Sequence, residues 1–217
     1  MSANAPRPPR GPHRRFFDLW SYVYDAPGVQ RLTYRPVQDA VVRALRADPP
    51  ARILDVGCGT GRLTLRLARE WPESRVVGCD FSRGMLAQAR ERGGALALTH
   101  GDAQRLPFAD GSFDAVVSTE AFHWFPDPEA ALAGFQRVLA PRGRLLIAFV
   151  NPPIELLSRL ARTLSVWLDE PLRWPTPAAL RRQIEVAGFR VESQRRIFRL
   201  PAPVLLPPVL TEAVRRD

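Results

Sequence analysis

The residues of this chain with the clearest chemical potential are three glycines that follow a short apolar segment. Gly57, Gly59 and Gly61 stand at every second position, directly after residues 53–56. Glycine permits positive φ angles and lets a ligand approach the backbone closely. A helix that begins after such a loop presents free N–H groups to an anionic part of a ligand. The segment therefore predicts a ligand-binding loop between a strand and a helix.

The spacing of the glycines separates this loop from two common nucleotide loops. A dinucleotide-binding loop reads G-x-G-x-x-G, but Arg62 occupies the place of its third glycine. A phosphate-binding P-loop ends in Gly-Lys-Ser/Thr, and this sequence has no lysine. Asp55 precedes the first glycine by two residues, where a carboxylate suits an amine better than a pyrophosphate. A simple tight turn is the alternative interpretation of Gly57 and Gly59.

Two further carboxylates follow the next two apolar segments. Asp80 comes after residues 76–79, about 20 positions beyond the loop, where an acidic residue can bind a pair of ribose hydroxyls. A carboxylate is the strong acceptor for that role. Asp102 follows the third apolar segment and could accept a hydrogen bond from an adenine amino group. It could also serve as the N-cap of a short helix, and the two roles are compatible.

Short apolar runs alternate with helical segments from Arg52 onward, which is the pattern of a parallel sheet with crossover helices. The predicted strands cover residues 52–56, 75–79, 95–99, 113–118, 144–150 and 189–198. The predicted helices cover residues 61–70, 83–92 and 128–139, and one more begins at Thr176 as N-cap and ends at Gly188. Residues 210–214 are a candidate seventh strand, although four prolines within residues 200–208 argue against it.

Length and composition fit one soluble domain preceded by a tail. Residues 1–15 are rich in Pro and Arg and are predicted to be disordered. Residues 16–217 form a single domain, in which residues 16–47 supply N-terminal helices and residues 151–175 carry a lid helix on the substrate side. The chain has no apolar leader and no run of 18 apolar residues, so a cytoplasmic location is expected.

The basic charge of the chain has two interpretations. The net charge is +9, and all 31 basic residues are Arg. A nucleic-acid or anionic-membrane partner is one interpretation, and the coding bias of a GC-rich genome is the favoured one. Cys58 and Cys79 are too few for a disulfide framework and lack zinc-ligand spacing to a His, so no metal site is expected. The apolar stretch 203–210 could touch a membrane or a partner, and the oligomeric state stays open.

Four motifs in a fixed order give the chain a resemblance to a known family. The segments LDVGCGTG, GCDFSRGML, GDAQRLPFADGSFDAVVSTEAFHWFPD and LAPRGRLLIAF resemble the small-molecule class I methyltransferases that use S-adenosylmethionine. The resemblance covers roughly residues 17–195, and the N-terminal segment around residues 17–25 looks like the ubiquinone/menaquinone C-methyltransferase branch. It implies an α/β fold: a doubly wound, Rossmann-like, mostly parallel seven-stranded sheet with helices on both faces and an antiparallel last strand.

The resemblance also implies which residues hold S-adenosylmethionine and its product S-adenosylhomocysteine. Asp55 and the glycine loop hold the methionine end, and Asp80 holds both ribose hydroxyls. Phe81 and Met85 pack on the adenine, and Asp102 accepts a hydrogen bond from the adenine amino group. Core packing is an equal alternative for Met85.

Four more residues complete the cofactor set implied by the resemblance. The N–H of Ala103 lies near an adenine ring nitrogen, and Thr119 approaches the sulfur end. Tyr24 closes over the methionine carboxylate. Cys58 belongs to the cofactor-binding loop itself. The alternative is that its small side chain is buried and serves only packing.

The acceptor side should lie beyond the fourth strand, in the crevice where ligands bind in such sheets. His123 is the candidate general base, because His titrates near neutral pH. A hydrogen-bonded or cofactor-flanking His is the alternative, and the further base candidates are Glu120, Tyr22 and Tyr24. The aromatic side chains expected to contact substrate, for which core packing is the alternative, are Trp124, Phe125 and Trp167.

The motifs together predict a methyltransferase whose acceptor is a small, hydrophobic or aromatic organic molecule. An RNA or protein methyltransferase is one alternative, in which the Arg-rich surface would dock the substrate. A non-catalytic cofactor-binding module that regulates a partner is another. Nucleic acid is the less favoured partner, and the identity of the acceptor atom (O, N or C) is open.

Overall fold

A computed structural model describes residues 34–93, 96–151, 174–197 and 208–217. The predicted tail, the first N-terminal helix and Tyr24 lie outside these residues, as do the predicted lid helix and Trp167. Within the described ranges, seven strands form one sheet in the order β3-β2-β1-β4-β5-β7-β6. The predicted fold class is confirmed.

Strands and helices alternate along most of the described chain. The strands are β1 Arg52–Val56, β2 Arg75–Asp80, β3 Ala97–His100, β4 Phe113–Thr119, β5 Leu139–Val150, β6 Phe189–Arg196 and β7 Pro208–Arg215. The helices are α1 Arg35–Leu45, α2 Arg62–Glu70, α3 Arg83–Gly93, α4 Pro128–Val138 and α5 Pro177–Val186, with a short 3-10 helix at Phe122–Trp124.

The pairing of the strands fixes where a ligand can bind. Strands β1 to β5 are parallel, and β1 lies between β2 and β4. The chain therefore winds outward in two directions from β1 and β4, and the switch point lies between these two strands. Ligands of open α/β sheets bind beyond the carboxyl ends of the strands at such a point. Asp55, Asp80 and Thr119 all lie at this edge of the sheet.

Helices cover both faces of the sheet and close two apolar cores. On one face, α4 and α5 bury side chains such as Phe135 and Ile184 against the sheet. On the other face, α1 and α2 do the same with Val41 and Leu67. Because both faces are covered, the central strands read as continuous apolar runs, which is why their positions could be predicted. The N-cap Thr176 also stands as predicted, since its side chain accepts a hydrogen bond from the N–H of Ala179 at 3.2 Å.

The two strands at the C-terminal half differ from their predicted bounds. β5 begins at Leu139, five residues earlier than predicted, and its pairing register with β4 shifts between Leu139 and Arg144. Arg142, within that stretch, has a φ of 60°. β7 exists despite the prolines and pairs antiparallel with both β5 and β6. Pro208 is its first residue, a position where the missing N–H costs little. No helix in the described part of the chain has the length and apolar character needed to cross a membrane.

Candidate functional site

The glycine loop joins β1 to α2 as the sequence predicts. The N–H groups of Gly57 and Cys58 both donate to the carbonyl of Cys79, at 2.8 and 3.2 Å, which ties the loop to the end of β2. Gly57, Gly59 and Gly61 all have positive φ angles, of 73°, 54° and 73°. A Cβ on Gly59 would meet only the Met85 sulfur, at 4.0 Å. The loop therefore leaves open space at Gly59, as a ligand cradle requires.

Asp80 organises this loop from the end of β2. One carboxylate oxygen accepts from the Gly59 N–H and the other from the Ser82 N–H, each at 2.8 Å. Burial raises the pKa of Asp80, and these backbone donors oppose the rise. Each carboxylate oxygen has a second lone pair beyond the backbone bond that it accepts. Asp80 thus fixes the loop and keeps acceptor capacity for a ligand hydroxyl.

Asp55 is a buried carboxyl with incomplete hydrogen bonding. Its Oδ2 accepts from the Thr64 hydroxyl at 2.7 Å, whereas its shielded Oδ1 has no partner among the described residues. Burial raises the pKa of Asp55 to about 7, and the charge of Asp80 adds to this effect. An unpaired buried acceptor costs about 1–3 kcal/mol. A cationic ligand group at Oδ1 would relieve that cost.

We expect Asp55→Asn to stabilise the ligand-free protein at alkaline pH. Because the folded state raises the pKa of Asp55, its protonated form contributes stability below about pH 4. That contribution is lost as the pH rises through about 7. Asn cannot ionise, so thermal unfolding at pH 8 should favour the variant by an amount on the order of a few kcal/mol. Unfolding at pH 4 is the internal control, since neither side chain is charged in the folded state there. A variant less stable than the parent at pH 8 would contradict the prediction.

The ends of β2 and β3 carry the residues predicted to surround an adenine. Phe81 is 39% exposed, which is unusual for a large apolar side chain among the described residues, whereas Met85 is buried beside Gly59. Asp102 is exposed, and its Oδ1 accepts from the backbone N–H of Gln104 at 2.9 Å. It therefore caps a turn rather than a helix. Ala103 is buried directly behind it.

The chain leaves β4 through an unusual backbone conformation. Thr119 pairs with Ala148 in the sheet, and the next residue, Glu120, has a φ of 51°. His123 then lies in the 3-10 helix and is 6% exposed. Burial lowers the pKa of His123 to about 3, so its imidazole stays neutral. A neutral imidazole can accept a proton, but one with so low a pKa does so weakly.

Aromatic side chains surround His123 at the ends of β4 and β5. Its ring stacks on Phe149 with centroids 5.5 Å apart, and the rings of Trp124 and Trp174 lie 5.2 and 6.1 Å away. Phe125 instead packs edge-on against Phe122, with centroids 5.6 Å apart, at the margin of the core. Trp124 thus lies beside His123, while Phe125 packs against Phe122 and lies near the glycine loop. The roles of Trp124 and Phe125 in substrate contact stay predictions.

Sequence reasoning missed two residues that hold the site together, one through its side chain and one through its backbone. Thr64 and Ser82 bind the carboxylates of Asp55 and Asp80, the first through its hydroxyl and the second through its N–H. A Ser two residues after an Asp is a known turn signal and could have been found. Thr64 lies in the first turn of α2, and only the fold brings it to Asp55.

The residues at the sheet edge fit one extended ligand. From β3 across β2 to β1 they present the exposed carboxylate of Asp102, the loop-bound carboxylate of Asp80, and the unpaired buried oxygen of Asp55. This order matches an amino-bearing ring, a diol and a cationic end in a row. The described residues contain no group of three His, Cys, Asp or Glu side chains placed to hold a metal ion.

Comparison with known proteins identifies the class that this fold and site define. A family model described as a methyltransferase domain matches residues 54–147. A demethylmenaquinone methyltransferase of Beutenbergia cavernae is 37% identical over 196 residues, which cover 81% of this chain and 79% of that relative. The chain belongs to the S-adenosylmethionine-dependent methyltransferases. Its cofactor is S-adenosylmethionine, as the sequence motifs predict.

Two other similarities place the chain more broadly within this family. A malonyl-[acyl-carrier protein] O-methyltransferase of Xylella fastidiosa is 40% identical over 118 residues, which cover 52% of this chain and 40% of that relative. A chain of the complex between the Haloferax volcanii Trm112 methyltransferase activator and a methyltransferase superposes with a TM-score of 0.73 and is 26% identical. That superposition covers 93% of this chain and 98% of the other.

Proposed function

We propose that this methyltransferase acts on a small acceptor that carries a hydrophobic or aromatic ring. The observation that carries the proposal is the aromatic cluster around His123, formed by Phe149, Trp124 and Trp174 at the ends of β4 and β5. Pockets for small ligands are lined mainly by apolar and aromatic side chains with a few polar groups. The unpaired Nδ1 of His123, which finds no partner in the described residues, supplies such a polar group.

The relatives favour a quinone-like ring over other acceptors. The relative that is similar over four fifths of this chain is named for demethylmenaquinone, whereas the malonyl-[acyl-carrier protein] relative is similar over about half of it. Each name states the acceptor of that relative and not of this chain. Together with the aromatic cluster, they support a bicyclic aromatic ring such as a naphthoquinol as the first acceptor to test.

The cofactor assignments form part of the same proposal. Asp55 binds the methionine ammonium, Asp80 the ribose hydroxyls, and Asp102 the adenine amino group, with Phe81 against the ring. The orphaned Oδ1 of Asp55 and the exposure of Phe81 support these roles. The remaining members of the proposed cofactor set are Gly57, Cys58, Gly59, Gly61, Met85, Ala103, Thr119 and Tyr24. We place the enzyme in the cytoplasm, because Cys58 and Cys79 are free thiols, as suits a reducing compartment.

A methyl-transfer assay tests the acceptor class. The purified protein is incubated with S-adenosylmethionine and, separately, a short-chain demethylnaphthoquinol, a malonyl thioester and total RNA, and products are identified by mass spectrometry. We expect methylation of the naphthoquinol. Trp124→Ala should raise KM for it by about 10–150-fold, since a buried aromatic contact is worth roughly 1.5–3 kcal/mol.

Trp71→Ala is the matched control, because Trp71 lies at the C-terminus of α2, before β2 and away from the ligand edge. KM for the naphthoquinol should not change in this variant. Transfer to the thioester or to RNA without transfer to the ring would overturn the proposed acceptor class. Salt-sensitive binding of RNA would then point to the Arg-rich surface as the docking site.

A further inference from the structure

Glu120 occupies a strained position next to the cofactor loop. Its φ of 51° lies in the left-handed region, which costs a non-glycine residue about 1–2 kcal/mol. Its N–H donates to the carbonyl of Ala148 on β5 at 2.8 Å. The next residue, Ala121, lies against Gly57, where an added Cβ would come within 2.3 Å of the Ala121 Cβ. The fold therefore holds Glu120 at the switch point between β1 and β4. Strain kept at such a place indicates a functional role.

The carboxyl group of Glu120 is buried without a full set of partners. Its Oε1 is shielded from solvent and has no hydrogen-bond partner in the described ranges. The same holds for His123 Nδ1 and for Asn151 Oδ1, at the ends of β4 and β5. The Asn151 Nδ2 group, in contrast, donates to the carbonyl of Pro175 at 2.8 Å. Buried polar groups in native proteins are nearly always paired, so these unpaired atoms favour a ligand that brings hydrogen-bonding groups or a positive charge.

Burial also sets the protonation of these groups. It raises the pKa of Glu120 to about 8, while the N–H of Val150 partly opposes the rise. No charged side chain contributes to this shift, whose only causes are burial and the hydrogen bond from the Val150 N–H. Glu120 is therefore mostly a neutral acid at pH 7, and His123 is neutral as well. Once ionised, the Glu120 carboxylate is a far stronger proton acceptor than the imidazole of His123.

We propose that Glu120, rather than His123, is the proton acceptor of the methyl-transfer reaction, and that binding of the positively charged methyl donor ionises it beforehand. The proposal rests on the small-molecule acceptor proposed above. A sulfonium charge near a buried carboxyl favours the ionised form, so the proton of Glu120 leaves to solvent when the cofactor binds. The unpaired Oε1 then faces the acceptor as a carboxylate.

The transfer step balances in charge and in atoms. The proton of the acceptor nucleophile moves to the Glu120 carboxylate, so the bond between nucleophile and proton breaks and an O–H bond forms on Glu120. The electron pair of the nucleophile forms the bond to the methyl carbon, and the pair of the broken sulfur–methyl bond stays with sulfur, which becomes a neutral thioether. The positive charge of the sulfonium, which had favoured the ionised form of Glu120, is lost in the same step in which Glu120 regains a proton. Its neutral form then suits the uncharged thioether of the product.

Calorimetry tests the ionisation step without any acceptor. S-adenosylmethionine and S-adenosylhomocysteine are titrated at pH 7 into the protein in two buffers that differ in ionisation enthalpy, which gives the protons released. Both ligands carry the same ammonium group, so any contribution of Asp55 cancels in their difference. We expect the sulfonium ligand to release most of one proton more than the thioether. Glu120→Gln should abolish that difference while leaving the affinity for the thioether within about three-fold.

A second variant and a turnover measurement complete the test. Glu120→Gly removes the carboxyl and also relieves the positive φ, so it should fold at least as well as the parent and show the same loss of proton release. With the acceptor that the methyl-transfer assay identifies, Glu120→Gln should lower kcat by about 10²–10⁴-fold. An unchanged proton difference in both variants would overturn the role of Glu120 and leave the acceptor class standing. Failure of every ring acceptor, with the proton difference present, would instead overturn the acceptor class alone.

Discussion

Gly57→Ala should destabilise the fold by about 2–5 kcal/mol, because overpacking and left-handed backbone strain act together there. The added Cβ would lie 2.3 Å from the Cβ of Ala121 and 3.9 Å from the ring of Phe125. Ala121 cannot easily move away, since Glu120 is bonded to β5 on one side and the 3-10 helix begins on the other. In a domain of this size, such a loss lowers the unfolding temperature by roughly 5–15 °C. Thermal unfolding without cofactor measures it.

Gly59→Ala is the matched control for this effect. Gly59 also has a positive φ, of 54°, but an added Cβ would meet only the Met85 sulfur at 4.0 Å. The variant should therefore lose only about 1–2 kcal/mol from backbone strain. Its added methyl group projects into open space that the cofactor occupies in the proposed function, so its cofactor affinity should fall instead. Equal unfolding temperatures for the two variants would contradict this separation of packing from binding.

The fold and the positions of the candidate cofactor carboxylates could be predicted because they depend on local patterns. β1 has the predicted bounds, since a strand covered on both faces reads as an uninterrupted apolar run. Asp80 is the last residue of β2 and Asp102 follows the end of β3 by two residues. The sequence could place both at one edge, because the carboxyl ends of parallel strands meet there. β7 was doubtful because prolines argue against a strand. The pairing of Pro208 with Val150 at the very start of the ladder resolves that conflict.

The acceptor side could not be predicted in the same way, because it depends on contacts between distant segments. Nothing local indicates a left-handed conformation for Glu120, since Gly, Asn and Asp are the residues that adopt it readily. That conformation follows from the hydrogen bond to Ala148 and the contact of Ala121 with Gly57. The sequence favoured His123 as base because free His titrates near pH 7. Burial among aromatic rings removes that advantage and is visible only in the fold.

Asp80→Ala should have the largest effect on cofactor binding of any single substitution at this site. The side chain holds the Gly59 and Ser82 N–H groups and, in the proposed function, the ribose hydroxyls. A hydrogen bond to a charged group is worth about 1.5–3 kcal/mol, so the affinity for S-adenosylhomocysteine should fall by roughly 10–150-fold. Loosening of the loop would add to this loss. Calorimetric titration of the neutral product measures it without interference from the sulfonium charge.

Two further variants refine the interpretation of Asp80→Ala. Asp80→Asn tests whether the charge or the shape of the side chain matters, and Asp114→Asn tests whether a loss of affinity reflects the contact or the stability of the fold. Asn at position 80 keeps one acceptor oxygen and turns an N–H donor toward a backbone N–H, so its loss of affinity should approach that of Ala. Asp114 lies at the opposite edge of the sheet, near the start of β4, where its two oxygens bind the Arg52 side chain at 2.6 and 3.1 Å. Asp114→Asn should lower stability at neutral pH and leave cofactor affinity unchanged. If it weakened the cofactor as much as Asp80→Asn does, the effect at Asp80 would reflect a general loosening of the sheet rather than a contact with the ribose.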